Sequence, residues 1–432
     1  MSEQCTINVY HSNSVNMAKP LIPISYRQAS IFALFLVLYE FLTYIANDMI
    51  MPGMIKVVAS FNGRESDIAN SLTYYLLGGA SLQLILGPIS DRYGRRVVML
   101  SGAVLFFCCT IGIACSNSMS QFMFGRFFQG MGLCFISVVG YAALQEIFAE
   151  MDAIRMVALM ANVSTIAPLV GPFFGALVVY YTSWRFIFIG ISFFTCLAWW
   201  GLWKYMPETV GVSRLDKTTL HSVPLSPKTI ISNYWALCIN PTFMFSCIAL
   251  GLIGSPCLIW IALSPVLLVK MAHLSIIQYG IWQIPVFGAC ILGSLFLQRM
   301  THRHIIRSLI FKGTFFVIVG VFLMFAMTAY FGEAYYFILP GILLYFFGIG
   351  FVTAPLSRYI LFSTPIMKGT ASAVMSMMQM SIQALGLLLA TFVYQTHHNF
   401  ILAMDCLITG LVALFFLGLA FYFCSASKAI KR

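Results

Sequence analysis

Twelve stretches of mostly apolar residues, parted by short polar gaps, leave this chain few ways to fold. A helix needs roughly 20 such residues to cross the hydrocarbon of a bilayer. On that template spans are predicted at 29–52, 69–89, 97–116, 121–145, 156–180, 186–206, 238–262, 276–297, 308–329, 334–356, 370–394 and 401–424. The runs lack the alternation of membrane-barrel strands, so backbone polar groups must be satisfied inside helices. Only 9% of the residues are charged, against roughly 25% in a soluble domain. The expected fold class is an all-α, multi-pass membrane protein.

A net charge of +11 raises the question of nucleic acid, but the basic residues punctuate the gaps and form no basic face. No nucleic-acid partner is expected; the charges read as topology and as contacts with membrane lipids. With the N-terminus inside, nineteen of the 24 Lys and Arg fall on the cytoplasmic side. Lys56, Arg64, Arg185 and Lys270 fall outside, and Arg126 lies within span four. Both termini are therefore predicted to be cytoplasmic. Residues 1–28 lack the order of a cleaved signal, so the first span is expected to be retained behind a cytoplasmic tail. A polar stretch, 207–237, divides six spans from six. The expected organisation is a tail (1–28), a six-helix bundle (29–206), a cytoplasmic linker (207–237), a second, pseudo-symmetric six-helix bundle (238–424) and a tail (425–432). Such halves suggest a duplicated transporter with its site at midplane between them. The twelve cysteines form no C-x-x-C pair, and His302, His304, His397 and His398 lack companion ligands, so no metal site is expected.

Ionisable groups inside spans need a reason, because a charge in hydrocarbon is costly and usually faces a bundle interior or watery cavity. Span one carries two acids, Glu40 and Asp48, in YEFLTYIANDMIMP. Span four carries Arg126 in RFFQGMG, where Gln129, Gly130 and Gly132 follow. Span one runs outward and span four inward, so Asp48 and Arg126 share the outer half and are expected to be partners. The alternative is an ion pair that only clips two helices together. Glu40 lies eight residues earlier, roughly 12 Å of rise and 80° of rotation away, near midplane on a partly different face. Asp48 is therefore the expected proton switch and Glu40 the expected sensor of a substrate's charge. Asp405, inside span twelve, reads as an entrance or interface residue, and Glu146 as an acid facing either basic loop residues or water. Met375, Met377, Met378 and Met380 read first as packing.

Two further motifs carry family information. Gly87-Pro-Ile-Ser-Asp91-Arg92-Tyr-Gly94-Arg95-Arg96 closes span two. Gly87 permits close helix approach, Gly94 a tight turn, and Asp91 a bond to the start of a neighbouring helix. The pattern resembles the motif between these spans in the major facilitator superfamily, where it acts as a conformational latch. Span five holds Pro168, Gly171, Pro172 and Gly175 in APLVGPFFGA, similar to the antiporter motif of the superfamily's drug exporters, with alanine for glycine at 167 and 176. The resemblance covers nearly the whole chain after residue 28. It implies the twelve-helix major facilitator fold and export of lipophilic cationic and neutral drugs by alternating access. It further implies a proton gradient in place of a cofactor, a bacterial inner-membrane location and a monomer. It assigns Glu40, Asp48 and Arg126 to proton coupling, and places Tyr44, Asn47, Gln129, Tyr141 and Met160 with the two acids around a central cavity. The rival is a proton-coupled symporter or nutrient importer of the same fold, against which span five argues. An ATP-driven pump is disfavoured because no G-x-x-x-x-G-K-[ST] loop occurs. A receptor is disfavoured because no soluble signalling domain is present, and no constellation supports an enzyme.

Overall fold

The computed structural model describes residues 20–148, 150–212, 227–300, 305–332, 334–364, 366, 368–394 and 399–430. Helices follow the apolar runs. The N-terminal half contains α1 (Tyr26–Asp48), α2 (Met54–Ser60), α3 (Ser66–Ser81), α4 (Gln83–Tyr93), α5 (Arg95–Ala114), α6 (Met119–Gly130), α7 (Gly132–Cys134), α8 (Tyr141–Ile147), α9 (Glu150–Tyr181) and α10 (Arg185–Tyr205). The short α11 (Pro227–Ile239) leads into α12 (Pro241–Pro265), α13 (Ile276–Met300), α14 (Ile306–Phe331), α15 (Leu339–Phe362), α16 (Lys368–Val393) and α17 (Asn399–Ile430).

Several ends are set by their own residues. Ser25, Ser118 and Asn240 are N-caps whose side chains accept from Gln28, Gln121 and Phe243 amides, satisfying donors that a helix start leaves open. Pro241 follows its cap at the first helical position, where its missing N–H is not needed. Gly94, at φ 100°, ends α4 and starts α5 in one residue, a conformation that disfavours any side chain.

Ten stretches of described residues are long and apolar enough to cross a membrane, and α3 with α4, bent by 42°, makes up to eleven. Residues 156–180, also expected to span, fall in α9, whose described apolar run is Ile166–Tyr181. Span one does not stop at Pro52. After a short 3-10 turn, Met51–Gly53, the chain resumes as α2. The linker region is helical over Pro227–Ile239, while 213–226 lie outside the described residues.

In the N-terminal half α1 packs on α9 and α10, and α5 on α6 and α10. In the C-terminal half α12 packs on α16 and α17, and α14 on α15 and α17. The halves meet where α3 lies against α16 and α9 against α13. Large apolar side chains such as Phe193, Phe322 and Phe415 point outward, as a lipid-facing surface requires.

Candidate functional site

The most buried charged groups gather where α1, α3, α6 and α8 converge. Their meeting depends on glycine. A Cβ on Gly130 would run into the Tyr75 carbonyl, and one on Gly78 into the Phe127 carbonyl. At this crossing α3 and α6 therefore touch backbone to backbone, which seats Ser71 and Tyr75 beside Arg126.

Arg126 is fully buried, and its guanidinium lies 4.5 Å from the centroid of the Tyr75 ring. Nε donates to Ser71 Oγ (3.2 Å), Nη1 to Gln129 Oε1 (2.7 Å) and to the Ala46 carbonyl (3.3 Å), and Nη2 to Asn47 Oδ1 (2.5 Å). Gln129 passes the chain on to Thr110 Oγ1 at 2.9 Å. The expected Asp48–Arg126 ion pair is absent. Asn47 stands between them, taking Arg126 on its oxygen and donating Nδ2 to Asp48 Oδ1 at 3.2 Å. Gln129 and Arg126 are both fully buried in the interior of the N-terminal bundle.

Glu40 is separate from this network. Its Oε1 accepts from the Tyr141 hydroxyl at 2.7 Å, while Oε2 is buried with no hydrogen-bond partner among the described residues. A π-helical turn, Phe135–Gly140, immediately precedes Tyr141. Such turns shift the register of the residues after them and recur at functional sites. Tyr44 sits within electrostatic reach of both Glu40 and Asp48. Met160 is buried on α9.

The span-five motif meets Asp48 directly. A Cβ on Gly171 would lie 2.9 Å from Asp48 Cβ, and one on Gly175 would strike the Met49 carbonyl. The glycines thus let α9 press on the last turn of α1. On its other side the same stretch touches the C-terminal half, since a Cβ on Gly280 would come within 2.9 Å of Phe173 Cα and 3.2 Å of the Pro172 carbonyl. Pro168 is partly buried one turn before Pro172. Tyr279 and Cys257 of the C-terminal half stand within the field of Asp48.

The cytoplasmic motif forms a charge cluster, with two departures from expectation. Arg95 pairs with Asp91 one turn earlier and, through Nη2, with Glu146 Oε1 at 3.0 Å; it also bonds Ser90. The bond to a neighbouring helix start comes not from Asp91 but from Glu208, which accepts the N–H groups of Arg95 (2.9 Å) and Arg96 (3.2 Å). Its carboxylate there meets the positive end of the α5 dipole. Arg96 reaches the Trp203 carbonyl, and Arg92 lies over the Tyr93 ring. Gly87 makes no close approach: a Cβ there would sit an ordinary 3.7 Å from Val138 Cγ1.

Sequence reasoning missed Ser71, Tyr75, Thr110 and Glu208. Polar or hydroxyl side chains four apart inside span two, and an acid just after span six, were the available signals. Also unanticipated was a chain in the C-terminal half, where Trp260 donates to Gln283 (2.9 Å), Gln283 to Ser264 (3.3 Å), and Ser264 meets Tyr279 at 3.3 Å. Asp405 has one buried carboxylate oxygen with no partner among the described residues. The loop histidines His302, His304, His397 and His398 lie outside those residues.

Residues 36–387 match the family model described as Major Facilitator Superfamily. The chain is 44% identical over 368 residues to a multidrug transporter MdfA of Yersinia pestis (strain Angola), covering 85% of this chain and 88% of the relative. A multidrug transporter MdfA of Escherichia coli O157:H7 is 41% identical over 386 residues, covering 89% and 92%. Among solved structures, the Escherichia coli xylose transporter XylE in a partially occluded inward-open conformation gives a TM-score of 0.70 at 15% identity, with 90% and 97% covered. The human organic anion transporter MFSD10 gives 0.65 at 16%, with 91% and 99% covered.

Proposed function

The chain belongs to the major facilitator superfamily, and from that membership we propose that it exports lipophilic drugs from the cell in exchange for protons. It is a multi-pass protein of the bacterial inner membrane. Relatives named multidrug transporters over most of the chain support drug efflux. The observation that carries the mechanism is the difference between the two buried carboxyls. Glu40 keeps a buried oxygen without a partner beside Tyr141 and Tyr44, whereas Asp48 closes the last turn of α1 against α9.

A buried polar atom with no partner is costly, so Glu40 Oε2 is where a drug's cationic or donor group gains most. Tyr141 holds the carboxylate in place. Neutral drugs bind in the same region with a protonated Glu40, which donates where the carboxylate only accepts. Asp48 acts as the proton switch. Arg126, held by its own four acceptors, reaches Asp48 only through the Asn47 amide. The cation is therefore a fixed reference, and the proton moves on and off Asp48. Because α9 bears on the turn holding Asp48 and also on Gly280, a charge change there is felt at the junction of the halves. With the cytoplasmic face assigned by the loop charges, the Lys270–Glu65 ion pair at 3.3 Å joins the two halves on the outer side. Opening outward breaks it and brings water to Asp48; protonation then weakens drug binding and releases the drug.

Drug-induced proton release from everted vesicles tests this reading. Asp48→Asn and Glu40→Gln, singly and together, are expected to reduce it strongly, and proton release unchanged in all three would sink the proposal.

A further inference from the structure

On the lipid-facing side of the C-terminal half, α13, α14 and α15 leave a groove of about 480 Å³, within the roughly 300–1,000 Å³ range of small-molecule sites. Glycines shape it. A Cβ on Gly293 would collide with the Phe347 carbonyl, and one on Gly313 would lie 2.9 Å from Phe351 Cδ1. The three backbones are thus drawn together, and the large side chains stand outward as walls. Phe296 and Met300 of α13 form one wall, Phe311, Phe315 and Phe316 of α14 the other, and the fully buried Phe351 the floor.

Lys312 is the charged residue in this lining. It is the seventh residue of α14, about 9 Å along the axis from the helix start. A cation is thereby carried on an apolar span into an aromatic cleft, which in a membrane marks a site. Arg307 stands on the same helix 5.9 Å from the centroid of the Phe311 ring and 4.7 Å from that of Phe421, and Arg299 lies in the last turn of α13. Among the described residues the groove lining contains no acid.

We propose that this groove is a binding site for an anionic phospholipid, with the phosphate at Lys312 and Arg307 and an acyl chain along Phe315, Phe316 and Phe351. Charge complementarity selects the class: basic pockets between spans on the cytoplasmic side favour anionic headgroups. The aromatic walls accept any acyl chain alike, so discrimination rests on the cations. The site shares no residue with the Glu40 and Arg126 clusters and stands independently of the transport reading.

Native mass spectrometry of the full chain, loaded with equal phosphatidylglycerol and phosphatidylcholine, tests the proposal. The wild-type chain is expected to retain phosphatidylglycerol preferentially. Lys312→Gln and Arg307→Gln should each lower that retention about fivefold, the worth of one cation near a membrane surface, and leave phosphatidylcholine unchanged. Lys312→Arg should preserve the preference. Lys204→Gln, removing a cation that lies over Trp200 in the other half, should have no effect. Equal retention of the two lipids by the wild-type chain would overturn the proposal. Wild-type retention in both glutamine variants would do so too, and Arg307→Gln decides alone if Lys312→Gln does not fold.

Discussion

Adding one methyl group at Gly175 tests whether span five bears on the proton switch. Its Cβ would drive into the Met49 carbonyl and lie 3.1 Å from Met49 Cα, in the turn that follows Asp48. Alanine is favoured over glycine in a helix by about 1 kcal/mol, while overpacking a filled site costs about 1–3 kcal/mol. The obstacle here is backbone, which cannot rotate aside, so the upper end of the packing cost applies and Gly175→Ala should lose about 2 kcal/mol net. Gly190 supplies the contrast. Nothing lies within 4 Å of a Cβ there, so Gly190→Ala should gain up to about 1 kcal/mol. Thermal unfolding in one detergent and efflux of a fluorescent drug from cells read both variants. The midpoint should fall for Gly175→Ala and rise for Gly190→Ala, with efflux impaired only in the first. A Gly175→Ala protein as stable and active as wild type would refute the claimed contact between α9 and the Asp48 turn.

Tyr141→Phe removes the hydroxyl that donates to Glu40; hydrogen bonds to charged groups are worth about 1.5–3 kcal/mol, so binding of a lipophilic cation should change at least tenfold in a titration while neutral-drug binding changes less. Lys270→Glu sets two like charges across the outer side and should increase outward opening, seen as faster labelling of a cysteine at Tyr44. Glu65→Lys in the same chain should reverse it, and since both partners are more than a third exposed the effect should stay within about fivefold. Glu208→Ala strips the cap from α5 and should cost about 1–2 kcal/mol of stability, measured by thermal unfolding, with Glu208→Gln intermediate.

The spans were legible because hydrocarbon leaves the backbone no alternative to long apolar helices. Local irregularities were not. The 42° bend between α3 and α4 and the π-helical turn before Tyr141 leave no mark in a hydropathy pattern. For the site, depth along a span brought Asp48 and Arg126 to the same level, but depth identifies a turn and not a face. Asn47 and Asp48 are neighbours at one depth and point about 100° apart; the crossing of α3 over α6 decides which one faces Arg126. Glycine roles were legible only in part. Gly94 was readable because a turn between two helices demands it, whereas the roles of Gly175 and Gly280 depend on which backbone lies opposite.

The central claim is that Asp48 takes the exchanged proton while Glu40 reads the drug's charge. Equilibrium binding of a lipophilic cation to the purified full chain, followed across pH, tests it most directly. Wild-type affinity should rise with pH as the carboxyl deprotonates. Asp48→Asn should reduce that dependence to the part that Glu40 carries, and Glu40→Gln should weaken the cation while sparing a neutral drug. An Asp48→Asn protein that keeps the wild-type pH dependence would contradict the account.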